Sequence, residues 1–245
     1  MMYTHHGIQV IAGQARETDD AIVIDDRFEL LLNDQPVTAM VASRDQLREL
    51  GAGYLVSEGI LRCVDTVNVE GDRILVYSDT VCDLRWTKRD VGSSGGLSFL
   101  STPPRAVSDI RLSPEDVIAV TREIETDLWK KTGGVHCSVL FRDGRLLAKS
   151  SDVGRHNTVD KLVGHAVLNG IDLSRCIIGC TGRQPAGMVR KSAHAGIPVI
   201  ISRAATTDKG IAAAEAAGIT LTGFSRGDRF TIYTHPERVT GTGSS

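Results

Sequence analysis

The chain reads as an α/β protein of the α+β kind, built in two parts. From about residue 109 onward, short apolar runs alternate with helical patterns: RCIIGC, then PAGMVRKSAHAG, then IPVIISRA, then TTDKGIAAAEAAG. Strands that alternate with helices build a largely buried sheet with helices on its faces. Before that, two β-hairpins flank one helix. Between the two lies RDVGSSGGLSFLSTPPR, Arg89 to Arg105, rich in Gly, Ser and Pro. It marks a loop joining a smaller strand-rich unit (1–108) to a second unit (109–245).

Taken in order, residues 1–26 are polar and irregular, with a short strand expected at Gly7 to Ala12. RFELLLNDQPVTAMVAS predicts two strands around an Asn33-Asp34 turn. Ser43 followed three residues later by Gln46 predicts a capping box, opening a helix that Gly59 closes. TVNVEGDRILVYS predicts a second hairpin, turning at Glu70-Gly71-Asp72. In the second unit, Ser113 caps a helix with Pro114 at its first position and Asp116 in its first turn, running to about Lys131. GGVHCSVLFRDGRLLAKSS predicts a hairpin with Asp143-Gly144 at the turn. A helix follows DVGRHN and ends near Gly170, and Gly196 closes the helix after TGRQP. ITLTGF and RFTIYTH are the final strands, and the last residues, GTGSS, read as a tail.

The 245 residues are 41% hydrophobic and 24% charged, with a formal net charge of -2. That is a soluble globular composition, and its near-neutral balance argues against bulk binding to nucleic acid or a membrane surface. No apolar run has membrane-spanning length, and MMYTHHGIQV lacks the apolar core of a signal peptide, so a cytoplasmic protein is expected. The five cysteines, Cys63, Cys82, Cys137, Cys176 and Cys180, include no C-x-x-C pair, so neither a zinc knuckle nor a thioredoxin-like pair is signalled. Cys176 and Cys180 read as small buried hydrophobes.

Chemistry concentrates in four polar loops: DVGRHN (152–157), TGRQPAG (181–187), SRAATTDKG (202–210) and FSRGDR (224–229). Each follows a strand, and the first three precede a helix. In an open α/β sheet, ligands bind beyond the carboxyl ends of strands, where helix N-termini offer unpaired N–H groups. Gly lets backbone approach an anion, and Arg offers a fork for phosphate. Arg155, His156, Arg183, Arg203, Lys209, Arg226 and Arg229 are therefore candidates to converge on a phosphorylated ligand. The ordinary alternative for each is a solvated or locally paired charge. No P-loop, dinucleotide fingerprint, G-x-S-x-G elbow or zinc-deaminase signature occurs. His136 reads as a core histidine whose neighbour Cys137 points to the other face of its strand. His194 reads as a favourable charge at a helix C-terminus.

TGGVHCSVLF, DVGRHNTVDKLVG and the run from GCTGRQPAGMVRK to FSRGDRFTIYTHPERV together resemble the formate dehydrogenase accessory sulfurtransferase family (FdhD/NarQ), over about residues 28–239. NDQPVTAMVASRDQLRELGAGYLVSEGIL resembles that family's N-terminal segment. The resemblance implies a cytidine-deaminase-like second unit without zinc, and a homodimer. It implies a protein required for formate dehydrogenase activity. Such a protein carries sulfur from a cysteine desulfurase to Mo-bis(molybdopterin guanine dinucleotide), before that cofactor enters apo-formate dehydrogenase. A guanine nucleotide is the simple analogue of this ligand. The family's cofactor-binding segment falls, by motif match, on Phe224, Ser225, Arg226, Gly227, Asp228 and Arg229. The physical reading of the loops adds Arg155, His156 and Arg183.

One departure stands out. The family's active loop carries C-G-x-C-G, and its cysteine bears a persulfide. Here Ser93, Ser94, Gly95 and Gly96 occupy that region. A serine cannot hold a transferable persulfide, because it has neither the thiolate nor the sulfur–sulfur chemistry. Three readings stay open. Another cysteine, Cys82 or Cys137, takes over the sulfur; the protein binds and delivers the cofactor as a carrier or chaperone; or the binding half serves a different nucleotide.

Overall fold

The computed structural model describes residues 1–80, 89–91, 97–99 and 102–241. Its first unit opens with β1 (Met2–Ile11) and β2 (Gln14–Val23), followed by β3 (Asp26–Leu32), β4 (Gln35–Ala42), α1 (Leu47–Ser57), β5 (Thr66–Glu70) and β6 (Arg73–Tyr77). Two three-residue strands follow, β7 (Arg89–Val91) and β8 (Leu97–Phe99). The second unit comprises α2 (Pro114–Glu123), α3 (Asp127–Thr132), β9 (His136–Arg142), β10 (Arg145–Asp152), α4 (Arg155–Leu168), β11 (Ile177–Cys180), α5 (Ala186–His194), β12 (Val199–Ser202), α6 (Asp208–Ala217), β13 (Thr220–Arg226) and β14 (Arg229–Thr234). The fold is a mixed α/β arrangement. A four-stranded sheet in the order β4-β3-β6-β5 stands beside a six-stranded sheet in the order β10-β9-β11-β12-β13-β14.

The predicted turns form as their residues dictate. Asn33 and Asp34 both take positive φ, as do Asp143 and Gly144, the geometry that suits a two-residue hairpin loop. Ser113 and Asp116 close their reciprocal capping box on α2. Strands β11 and β12 are buried at every residue. One face of the six-stranded sheet, with Val139, Phe141, Ile177, Val199 and Ile201, packs under α2. The opposite face, with Leu140, Ile178, Cys180, Ile200 and Leu221, joins a larger core that includes Phe28, Leu30, Leu50 and Leu55 of the first unit. The two units thus share one apolar core.

Several expectations are corrected. Residues 1–26 are not irregular: β1 and β2 pair over their whole length around Ala12-Gly13. Most of this ribbon is exposed, so no apolar alternation betrayed it. The helix expected to run to Lys131 breaks after Glu123, and Thr126 caps the separate α3 by accepting from Trp129 N–H. The capping box at Ser43 does not form. α1 starts later, from Gln46 in a left-handed conformation, because the Ser43 backbone is held by residues of the second unit. α4 begins inside the DVGRHN motif, which puts Arg155 and His156 in its first turn.

What holds Ser43 is a buried ion cluster. Lys161 has no exposed surface and lies 2.8 Å from Asp152 and 2.7 Å from Asp45. Its ammonium also donates to the carbonyls of Ser151 (3.0 Å) and Ser43 (3.4 Å). Asp152 accepts from the N–H groups of Ser43 and Gly154 and from the Asn157 amide. A second cluster is also buried: Lys191 of α5 is 2.6 Å from Glu58 and 3.0 Å from Asp160 of α4, and stands over the Tyr54 ring. Between the clusters, α1 and α4 touch backbone to backbone. A Cβ on Gly53 would come 1.7 Å from the Asp160 carbonyl oxygen, and one on Gly164 would come 1.8 Å from that of Glu49.

Removing one member of a buried charge pair strands the other, at a cost of about 3–5 kcal/mol. Asp152→Ala should therefore lower the urea unfolding midpoint by an amount equivalent to that range. A midpoint within experimental error of the parent would show that the Lys161 cluster does not hold the units together.

Candidate functional site

Strands β11, β12 and β13 are parallel, and β9 runs antiparallel to both β10 and β11. The carboxyl ends of β10, β11, β12 and β13 therefore share one edge of the sheet, and all four polar loops emerge there. Hydrogen bonds join the last three of these loops in sequence and tie the first of the three to β9. Thr181 N–H donates to Cys137 O, Arg203 N–H to Cys180 O, Gln184 N–H to Ala205 O, and Phe224 N–H to Ala204 O. The Ser202 hydroxyl donates to Gly182 O at 2.9 Å and accepts from Ala204 N–H. Helices α4, α5 and α6 start from this rim. α6 is capped by Thr207, but the caps of α4 and α5, Gly154 and Pro185, supply no side-chain acceptor. Their first-turn N–H groups are the kind that receive anions.

Arg155 and His156 on α4, Arg183 before α5, and His136 at the start of β9 gather on this rim. The Arg155 stem lies against Gly182, where a Cβ would meet Arg155 Cβ at 3.0 Å. His156 Nε2 stands 3.6 Å from the place a Gly187 Cβ would occupy. His136 Nδ1 lies 3.4 Å from the Thr181 hydroxyl. The Arg155 Nε is buried without a hydrogen-bond partner. Among the described residues, no carboxylate forms an ion pair with Arg155 or Arg183. Burial pulls Arg155 below the ordinary arginine range, and Arg183 adds to this. Burial and then Arg155 lower His136, while Asp152 opposes them. Burial first, then Lys191, Arg155 and His136, push His156 down to about 3. The site therefore combines two arginine charges lacking local carboxylate partners with two histidines whose neutral forms are favoured. Such a site can hold an anion on its arginines and offer neutral imidazoles to a polar heterocycle.

The other predicted residues serve more mixed purposes. β13 runs through Phe224, Ser225 and Arg226, and Gly227-Asp228 make the turn to Arg229. Phe224 sits in a bulge at φ 51 and exposes its ring. Ser225 is fully buried, with its hydroxyl 2.6 Å from Thr121 of α2, so it ties strand to helix. Arg226 Nε donates to Arg203 O at 2.9 Å. Arg203 is itself engaged by Glu125 and lies 6.0 Å from the Trp129 ring centroid. Arg229 and Lys209 are exposed on the rim. His136, read from sequence as a core histidine, is half-buried and stands at the rim beside the Thr181 hydroxyl. The pattern that could have placed it there is its position opening a strand while Cys137 faces inward.

Cys137 is fully buried against Thr126 (3.2 Å) and Ser151 (3.9 Å), out of reach of a sulfur donor in this conformation. Burial pushes the Cys176 thiol up to about 11 and the Cys180 thiol up to about 12. Cys63 is the exposed cysteine among the described residues. Cys82, Ser93, Ser94, Gly95 and Gly96 lie outside the described residues. Among the described residues, no group of three His, Cys, Asp or Glu side chains could hold a metal ion, and no helix is long and apolar enough to cross a membrane.

Residues 23–240 match the model of the FdhD/NarQ family. The chain is 32% identical over 244 residues to the sulfur carrier protein FdhD of Bacillus subtilis, covering 93% of each chain. It is 33% identical over 234 residues to the protein of the same name from Methanothermobacter thermautotrophicus, covering 92% of this chain and 94% of the relative. A crystal structure from Desulfotalea psychrophila, described as a formate dehydrogenase accessory protein, superimposes with a TM-score of 0.81 at 28% identity. It covers 97% of this chain and 99% of that one.

A histidine lowered to about 3 binds no proton in the folded chain at pH 5, whereas the unfolded chain does. Where the unfolded state binds more protons, stability rises with pH. The contribution of His156 is therefore complete above the unfolded pKa and is lost as pH falls from about 6.5 toward 3. His156→Gln should flatten that part of a melting-temperature profile. A ring-carbon NMR titration of the parent should show no His156 step between pH 8 and 5; a step near 6.5 would contradict the buried site.

Proposed function

The chain belongs to the FdhD/NarQ family, and on that premise we propose that it acts in formate dehydrogenase maturation by binding Mo-bis(molybdopterin guanine dinucleotide) as its cargo. The observation that carries this reading is the buried, partnerless Nε of Arg155 beside Arg183, at a rim where α4 and α5 start without side-chain caps. Arg155, Arg183 and the first-turn N–H groups bind phosphate. The neutral forms of His136 and His156 orient the guanine end by hydrogen bonding without adding charge. Arg226 and Arg229, farther along the rim, bind the remaining pyrophosphate oxygens, with Phe224 exposed beside them. Apo-formate dehydrogenase receives the loaded cofactor.

The names of the relatives support a second reading, in which the chain also carries sulfur. The thiolate of a cysteine on this chain would attack the terminal sulfur of a cysteine desulfurase persulfide. A new persulfide forms here and the desulfurase thiolate leaves. Ser93, Ser94, Gly95 and Gly96 stand where the family motif has cysteines, and Cys137 is buried. Of the two cysteines named from the sequence, Cys82 is therefore the one left for this step.

A charge-assisted hydrogen bond contributes about 1.5–3 kcal/mol, or roughly ten- to a hundredfold in affinity. Calorimetric titration with GDP should show binding that falls by at least tenfold in Arg155→Ala and in Arg183→Ala, and more modestly in Arg226→Ala and Arg229→Ala. Unchanged affinity in both Arg155→Ala and Arg183→Ala would overturn the assignment, and equal affinity for ADP would point to a different nucleotide. For sulfur transfer, incubation with a desulfurase and cysteine followed by mass spectrometry should add one sulfur to Cys82. Absence of a persulfide on every cysteine leaves cofactor binding alone.

A further inference from the structure

A second cluster of arginines lies at the opposite edge of the six-stranded sheet, where β13 begins at Thr220. Arg238 closes a short 3-10 turn, Pro236–Arg238, after β14. It is only 7% exposed, yet no carboxylate forms an ion pair with it among the described residues. Its Nη1 donates to Thr220 Oγ1 at 3.1 Å, and its Nε is buried with no partner. The Thr220 hydroxyl spends its own proton on His235 O at 2.8 Å.

Two more arginines converge on this point. The Ala106 N–H donates to Ala217 O at 2.7 Å, which lays Arg105 along Gly218. A Cβ on Gly218 would stand 2.9 Å from Arg105 Cγ and 3.1 Å from its Nε. The Leu112 N–H donates to Arg238 O at 2.8 Å, which brings Arg111 alongside. The Arg111 guanidinium donates to the backbone carbonyls of Asp109 and Ile110. Burial pulls Arg238 below the ordinary arginine range; Glu237 opposes this, and Arg111 and Arg105 add to it. Glu237 is already engaged by the His235 ring at 3.2 Å. Arg105 and Arg111 thus flank the segment that holds one buried, unsatisfied donor, and among the described residues Glu237, on the same turn, is the carboxylate set against Arg238. Such an excess of charge is costly unless an anion neutralises it.

We infer that Arg105, Arg111 and Arg238 form a second anion site that takes a phosphoryl group, separate from the rim. Tetrahedral phosphoryl oxygens match the planar forks of several arginines at once, and Arg238 Nε supplies a donor already stripped of water. Six residue steps of β13, from Thr220 to Arg226, separate the two sites by about 20 Å. The two therefore bind independently, and this assignment does not rest on the maturation reading.

The test uses the full chain carrying Arg155→Ala, Arg183→Ala, Arg226→Ala and Arg229→Ala, which removes every arginine assigned to the rim. Inorganic phosphate and GMP are titrated separately by calorimetry. At least one of them should bind, and adding Arg105→Ala or Arg111→Ala, both at exposed positions, should weaken that binding at least tenfold. Tighter binding of phosphate supports the site and assigns it free phosphate; tighter binding of GMP supports it and assigns a nucleotide's phosphoryl end. Absence of binding of both ligands in the silenced background overturns the site, as does binding that neither substitution weakens. Failure of the rim reading would appear separately, as GDP binding unaffected by Arg155→Ala and Arg183→Ala alone.

Discussion

Lys161 is a positive charge with no exposed surface, held by Asp45 of the first unit and Asp152 of the second. The geometry of the rim follows from that neutralisation. Asp152 ends β10 and also receives the Gly154 N–H and the Asn157 amide, so it fixes where α4 can begin. With α4 begun there, Arg155 and His156 must project from its first turn. The same carboxylate takes the Ser43 N–H, which delays α1 and seats it across α4. A buried ion pair is weak evidence for net stability, because desolvation offsets much of the attraction. Its value here is positional: a register between two units that apolar contacts alone would leave loose.

The rim shows the complementary use of charge. Lys161 and Lys191 are matched by buried carboxylates, while among the described residues Arg155 and Arg183 form no ion pair with a carboxylate. Lys191 also helps to depress the nearby His156, so the buried structural network reaches the functional surface electrostatically. Compensation inside and surplus outside give the edge of the sheet a positive face, although the chain as a whole is slightly acidic.

Much of this was legible in the sequence. Asn33-Asp34 and Asp143-Gly144 announced their turns, Ser113 and Asp116 announced α2, and the strand–loop–helix rhythm put four polar loops on one edge. These features are local or periodic, and sequence carries them directly. The β1–β2 ribbon was not legible, because a strand buried on neither face has no apolar alternation to display. Nor were Lys161 and Lys191 as buried residues, since charge in a helix ordinarily reads as surface and partners such as Asp45 and Glu58 lie far along the chain. His136 was misplaced for the same reason: whether a strand-start histidine meets a core or a rim depends on what β11 and α4 bring beside it.

The glycine contact between α1 and α4 has a mechanical meaning. With carbonyl oxygens standing where side chains would otherwise separate the helices, Gly53 and Gly164 leave no intervening layer that could slide. Shear between packed helices needs side chains that can exchange rotamers, and here backbone meets backbone. The two units are thereby denied the hinge and shear motions by which many carriers open and close. Rearrangement at the rim is then local, a matter of side chains and loop backbone over a rigid platform.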